Sequence, residues 1–105
     1  MMPPYPIDPR RTRLPATPTT FGLVDGCLPD FAPPGSFELR AGYMILACPG
    51  CGHVSGMRVG PSKPDESPSW QLTGPPDAPT LTPSVNCVGC CKWHGFLKAG
   101  VFESC

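Results

Sequence analysis

From residue 36 onward, apolar and polar positions alternate in short runs, and none repeats at the 3.6-residue spacing of a helix face. Residues 37–47 place Phe37, Leu39 and Ala41, then Tyr43, Ile45 and Ala47, at two-residue intervals, which predicts a strand. Residues 53–59 return from it, so the two runs predict a hairpin whose turn carries Cys48 and Cys51. Residues 61–69 are a polar Pro/Ser loop. A short strand follows over 69–73 with Trp70 and Leu72 on one face, and Gly74-Pro75-Pro76-Asp77-Ala78-Pro79 turns the chain sharply. Residues 80–86 alternate through Leu81 and Val85, with Pro83 marking an edge or a bulge because it has no N–H for a ladder. Residues 93–98 and 101–103 close a last hairpin about Ala99-Gly100. The expected fold is mostly β.

The first third reads differently. Nine of the 17 prolines lie before Ser36, and each removes a donor and pushes its predecessor toward extended geometry. The chain therefore divides into an extended Pro-rich arm, 1–35, and a β domain, 36–105. Phe21, Leu23, Val24, Leu28 and Phe31 make the later half of the arm apolar enough to dock on the domain or on a neighbouring molecule. A domain of about 70 residues buries too little surface to be comfortably stable alone, so it needs a staple.

The cysteines supply one. Cys48-Pro49-Gly50-Cys51-Gly52-His53 and Cys87-Val88-Gly89-Cys90-Cys91-Lys92-Trp93-His94 each hold a C-x2-C step, and 35 residues separate the pairs. Such a turn lets two sulfurs converge on one tetrahedral cation, and two turns complete a structural zinc site. Together with the strands, this predicts a small zinc-ribbon-like antiparallel β domain. Symmetry favours Cys48, Cys51, Cys87 and Cys90 as ligands of Zn2+; a second pair formed by Cys91 and His94 is the rival. His53 is read as an outer partner or an exposed residue, and Cys27 as packed beneath the arm. Cys105 is open among a free thiol, a partner for Cys27 and a further ligand. Seven cysteines, an odd number, fit disulfide pairing poorly and fit reduced metal-binding thiols better.

Catalysis finds little support in this pattern. A catalytic zinc keeps a position open and needs a base nearby, whereas thiolate-rich sites are saturated. Only Glu38, Glu66 and Glu103 stand beside five Asp, none at short fixed spacing from a ligand. The zinc-deaminase signature is missing, because neither His53 nor His94 is followed two residues later by Glu. Eight basic and eight acidic residues cancel, which argues against a duplex nucleic-acid footprint, and Arg10, Arg11 and Arg13 are the one local excess. The start has no apolar signal core, and no run approaches the 18 apolar residues of a membrane span.

Three motifs occur in order over residues 43–105: the Cys48-Pro49-Gly50-Cys51-Gly52 turn; Trp70 followed by Pro79-Thr80-Leu81-Thr82-Pro83-Ser84-Val85; and Cys91 before Trp93-His94-Gly95-Phe96 with Gly100-Val101. In this the chain resembles a family of small Cys-rich proteins found largely in phages and prophages. The resemblance implies metal binding, with Cys48 and Cys51 joined by Cys91 or His94. The resulting expectation is a non-catalytic zinc-binding structural or interaction protein. It would be a virion component whose arm lies along neighbouring subunits, in the virion or the host cytoplasm. The alternative is a regulatory or host-directed zinc-ribbon that binds a host protein or nucleic acid. A metalloenzyme stands third. The segment 79–85 is read as a Pro-broken edge strand, with docking of another chain as its functional reading.

Overall fold

Alternating apolar residues punctuated every few positions by Gly and Pro leave only short strands. The computed structural model describes residues 5, 7, 8, 10, 13–23, 25–40, 42–59, 70–87 and 91–104, and among them are nine strands and no helix. The mostly β reading therefore holds. One sheet comprises Arg13–Pro15 (β1), Gln71–Thr73 (β6), Thr80–Asn86 (β7), His94–Lys98 (β8) and Val101–Ser104 (β9), in the order β1-β9-β8-β7-β6. The other comprises Thr17–Pro18 (β2), Ser36–Arg40 (β3), Tyr43–Ala47 (β4) and Val54–Arg58 (β5), in that order, with β2 parallel to β3.

The run 37–47, expected as one strand, is two. Gly42, at φ 82°, turns the chain so that Phe37 lies opposite Leu46 and Leu39 opposite Met44. The change of parity between Leu39 and Met44 is the imprint of that turn. Phe37, Met44 and Leu46 then meet Leu81, Val85, Trp93, Leu97 and Phe102 in one core between the sheets. Trp93 and Phe102 are both fully buried and pack edge to face, ring centroids 6.0 Å apart.

The four-stranded sheet is covered on both faces. Ile45, Ala47 and Val54 pack beneath Phe21 and Ala32 in a second cluster, so β4 reads as continuously buried after Tyr43. The Pro-rich segment is laced to the domain by backbone bonds: Ala16 N–H donates to Gly100 O, Thr17 to Gly35, Thr19 to Phe37 and Ala32 to Gly52, all at 2.8–3.0 Å. Glu38 accepts a 2.9 Å bond from Phe21 N–H and two 2.8 Å bonds from Arg40. Arg13 pairs with Glu103 at 3.5 Å on the surface, a contact worth at most about 1 kcal/mol.

Among the described residues, the five-stranded sheet is covered on one face only. Along β8, Gly95 and Leu97 point into the core while His94, Phe96 and Lys98 point outward, with Lys98 Nζ 5.0 Å above the Phe96 ring. This open face carries the first part of the site.

Candidate active site and metal centre

The first knuckle forms at the end of β4. Cys48 N–H donates to His53 O at 2.9 Å, Gly52 N–H to Cys48 O at 2.8 Å, and Gly50 N–H to the Cys48 sulfur at 3.4 Å. Gly52 sits at φ 84°, a left-handed position that favours glycine. Gly50 answers a different need: a Cβ there would collide with the Cys91 sulfur and press on Asp8 O and Trp93 Cβ. The glycine lets the second cysteine segment lie directly on the first.

The connection from β7 to β8 repeats this pattern with one residue more. Cys87 N–H donates to Trp93 O at 2.8 Å and Lys92 N–H to Cys87 O at 2.9 Å. Lys92 takes the left-handed conformation at φ 66° that Gly52 takes in the first turn. Cys87 therefore corresponds to Cys48, Cys91 to Cys51 and Trp93 to His53. The sulfurs of Cys48, Cys51 and Cys91 lie within 4.8 Å of one another, and the Cys48 and Cys91 sulfurs are 3.5 Å apart. Four 2.3 Å bonds to a tetrahedral cation would place sulfurs about 3.8 Å apart, so the trio fits a metal ion. Cys87 adjoins the trio, its thiol acting on Cys48.

The electrostatics agree. The Cys87 thiol and then burial push the Cys48 thiol up, far from ionisation. Burial first, then the Cys48 and Cys51 thiols, push Cys91 up to about 12 against a lowering bond from Trp93 N–H. Such a cluster becomes thiolate only when a cation supplies the opposite charge.

Of the residues singled out in the sequence, Cys48, Cys51 and Cys91 are brought together. Cys90 and Cys105 lie outside the described residues. Cys27 is exposed rather than packed beneath the arm, because it follows a turn at Asp25 and Gly26, both at positive φ. His53 packs its ring against Phe31 at 5.8 Å. His94 faces away from the core, where its Nε2 lies 2.9 Å from Ser84 Oγ.

The fold prepares this contact. β7 and β8 pair as Leu81↔Leu97, then as Val85↔Gly95 and Asn86↔His94, with a bulge between Leu81 and Val85. Pro83 lies within it. β7 has β6 on one side and β8 on the other, so of the edge or bulge that Pro83 marks it is the bulge that forms, within an interior strand. Beyond the bulge His94 lies opposite Asn86, so Ser84, two residues earlier on the same face of β7, is its diagonal cross-strand neighbour. Trp70 braces the bulge, its indole Nε1–H donating to Ser84 O at 3.0 Å. In the tautomer protonated on Nδ1, the imidazole accepts the hydroxyl proton, at the separation expected of a nucleophile and its base.

A serine activated in this way is the working part of a serine hydrolase. Residues 25–105 match the family BubE, the bacterial ubiquitination-like system serine protease, and the chain belongs to that family. No curated protein and no solved structure matches it. The family corrects two expectations. A non-catalytic phage structural protein is overturned, and so is the absence of enzymatic activity, because the family is one of proteases. The phage and prophage resemblance gives way to a bacterial ubiquitination-like system, while the small Cys-rich β domain stands. Ser84 is not among the residues singled out in the sequence, because 79–85 reads there as a Pro-broken edge strand and the only catalytic candidates near metal ligands are carboxylates. The legible signal was a serine after a strand-interrupting proline, one short hairpin away from a histidine.

Proposed function

We propose that this protein is a serine peptidase in which Ser84 is the nucleophile and His94 the general base, acting on the C-terminal region of a ubiquitin-like protein. The 2.9 Å contact between His94 Nε2 and Ser84 Oγ carries the reading, and the ubiquitination-like system in the family description makes a ubiquitin-like protein the substrate we propose. As Ser84 Oγ attacks the scissile carbonyl carbon, its proton passes to His94 Nε2. The same proton then goes to the departing amine as the carbon–nitrogen bond breaks and an acyl-serine remains. Water, deprotonated by His94, releases the carboxylate and restores the hydroxyl. A peptide bond in a precursor and an isopeptide bond in a conjugate both undergo this chemistry.

Zinc is the metal proposed for the thiol cluster, held by Cys48, Cys51 and Cys91 with Cys87 as the fourth donor. A closed thiolate set supplies structural cross-linking rather than an activated water. The second knuckle is also the loop joining β7 to β8, so fixing it holds Asn86 opposite His94 and keeps Ser84 within reach of the base.

The test is cleavage of a ubiquitin-like protein carrying a C-terminal peptide extension. Ser84→Ala and His94→Ala are each expected to lower kcat/KM by on the order of 10³-fold or more. A fluorophosphonate should add its mass to the peptide containing Ser84. Undiminished cleavage by Ser84→Ala would remove Ser84 from the role.

A further inference from the structure

The Ser84–His94 pair has a third polar neighbour on the open face of the five-stranded sheet. Asn86 is the cross-strand partner of His94, and both are exposed. Backbone groups of alternate strand residues point to opposite sides. Cys87 directs its N–H to Trp93 O in β8's direction, so Asn86 and Ser84 direct theirs toward β6, where Ser84 O meets the Trp70 indole. The Asn86↔His94 pair is therefore a non-hydrogen-bonded one, in which Cα atoms stand about 4.5 Å apart and the side chains are closest. Ser84 lies two residues before Asn86 on the same side of β7, about 7 Å along the strand. The hydroxyl, the amide and the imidazole thus surround one patch of this face.

Asparagine is disfavoured within strands, and the Asn86 side-chain amide bonds no described residue. Its place is nonetheless fixed on both sides. Val85 is buried in the core, while Cys87 N–H donates to Trp93 O at 2.8 Å and Cys87 O accepts from Lys92 N–H at 2.9 Å. A rigid, uncharged donor beside a serine nucleophile is what acyl transfer needs, because the carbonyl oxygen gains negative charge as Oγ attacks. The other donors of this face are engaged or distant. Lys98 stands four residues along β8 from His94, about 14 Å away, with Nζ over the Phe96 ring. Arg13 pairs with Glu103, and Thr80 Oγ1 takes the Ala99 N–H. Thr82 lies before the bulge, where the register is still that of Leu81↔Leu97.

Resting on the peptidase reading above, we infer that Asn86 is a further catalytic residue, whose side-chain Nδ2–H stabilises the oxyanion of the tetrahedral intermediate. The substrate carbonyl carbon meets Ser84 Oγ, the departing amine faces His94 Nε2, and the carbonyl oxygen turns toward the end of β7. As the Oγ–carbon bond forms, the carbonyl electron pair moves onto that oxygen. It returns when the carbon–nitrogen bond breaks, and Asn86 donates its hydrogen bond throughout without giving up a proton. Because Asn86 directly precedes Cys87, the second knuckle positions this donor.

On the tail-extended ubiquitin-like protein, Asn86→Ala is expected to lower kcat by on the order of 10²- to 10³-fold. KM should stay within about two-fold, since the bond strengthens only in the transition state. A peptide boronate, which caps Ser84 as a tetrahedral adduct, should lose affinity for Asn86→Ala in step with kcat. A kcat within about three-fold of the unsubstituted protein, with Ser84→Ala inactive, overturns the inference and leaves the peptidase reading intact. A loss confined to KM assigns Asn86 to substrate binding and equally overturns it. Undiminished cleavage by Ser84→Ala removes the peptidase reading and this inference with it. Should Asn86→Ala fail to fold, the proton resonances of the Asn86 side-chain amide in the unsubstituted protein decide. A downfield shift when the boronate binds upholds the bond to the oxyanion, and an unchanged position overturns it.

Discussion

Ser84 owes its position to three neighbours that do no chemistry themselves. Pro83 before it withholds a ladder donor, the β7 bulge shifts the register by two residues, and Trp70 takes its carbonyl oxygen in a 3.0 Å bond. Of the three, only the indole bond can be deleted while most of the packing is kept. Trp70→Phe removes a hydrogen bond worth about 1 kcal/mol. Because that bond fixes the nucleophile's backbone, a loss of about five-fold is expected in kcat, beside a melting temperature lowered by roughly 5 °C. Steady-state kinetics beside a thermal melt separates the two effects, and an equal rise in KM with kcat preserved would assign Trp70 to substrate binding instead. Gly50 is as sensitive for a different reason. Gly50→Ala would set a methyl group against the Cys91 sulfur, and loss of bound metal on purification is the expected result.

At the scale of elements, strands are legible in the sequence wherever a periodic run meets a turn signal. Residues 80–86 form β7 over the same bounds, and the closing hairpin turns at Ala99 and Gly100 as anticipated. The first knuckle, with Pro and Gly between its cysteines, was also legible. The second was harder, because Lys92 rather than glycine takes its left-handed turn, and Cys87 and Cys91 stand one residue further apart than the usual spacing. The Ser84–His94 pair was harder still: beyond the hint of a serine after a strand-interrupting proline, it depends on the register between β7 and β8, which no periodicity within either strand encodes. The pairing of β2 alongside β3 likewise depends on tertiary packing that short Pro-rich runs do not announce. That docking has a titratable point. Glu38 accepts bonds from Phe21 N–H and from Arg40, which hold its carboxyl below the usual 4.5. A depressed folded value stabilises above the unfolded pKa and is lost as pH falls through the folded one. Docking of the 17–21 segment should therefore be complete at neutral pH and weaken on acidification below about 4.5. Hydrogen exchange at Phe21 N–H against pH measures it, and Glu38→Gln should flatten that dependence.

Across the whole molecule, the two knuckles belong to different sheets. The first ends β4 in the four-stranded sheet, and the second joins β7 to β8 in the five-stranded one, so one cation bound by both ties the layers together over the Trp93 core. Structural zinc sites in small domains contribute on the order of 10 kcal/mol or more, comparable with the whole stability of about 5–15 kcal/mol usual for a domain. Chelation should consequently unfold both sheets in one transition rather than loosen a loop. Trp93 is fully buried against Phe102, so its emission should shift to the red as metal is withdrawn, in step with loss of peptidase activity. Zinc should restore both, and calcium, which prefers oxygen donors, neither. Cys51→Ser is expected to reproduce the chelated state at neutral pH, whereas Cys27→Ser, exposed and outside the cluster, should leave emission and activity unaltered. A chelated protein that kept its buried tryptophan and its activity would show that the core between the sheets suffices without the metal, and would separate the cysteine cluster from the catalytic fold.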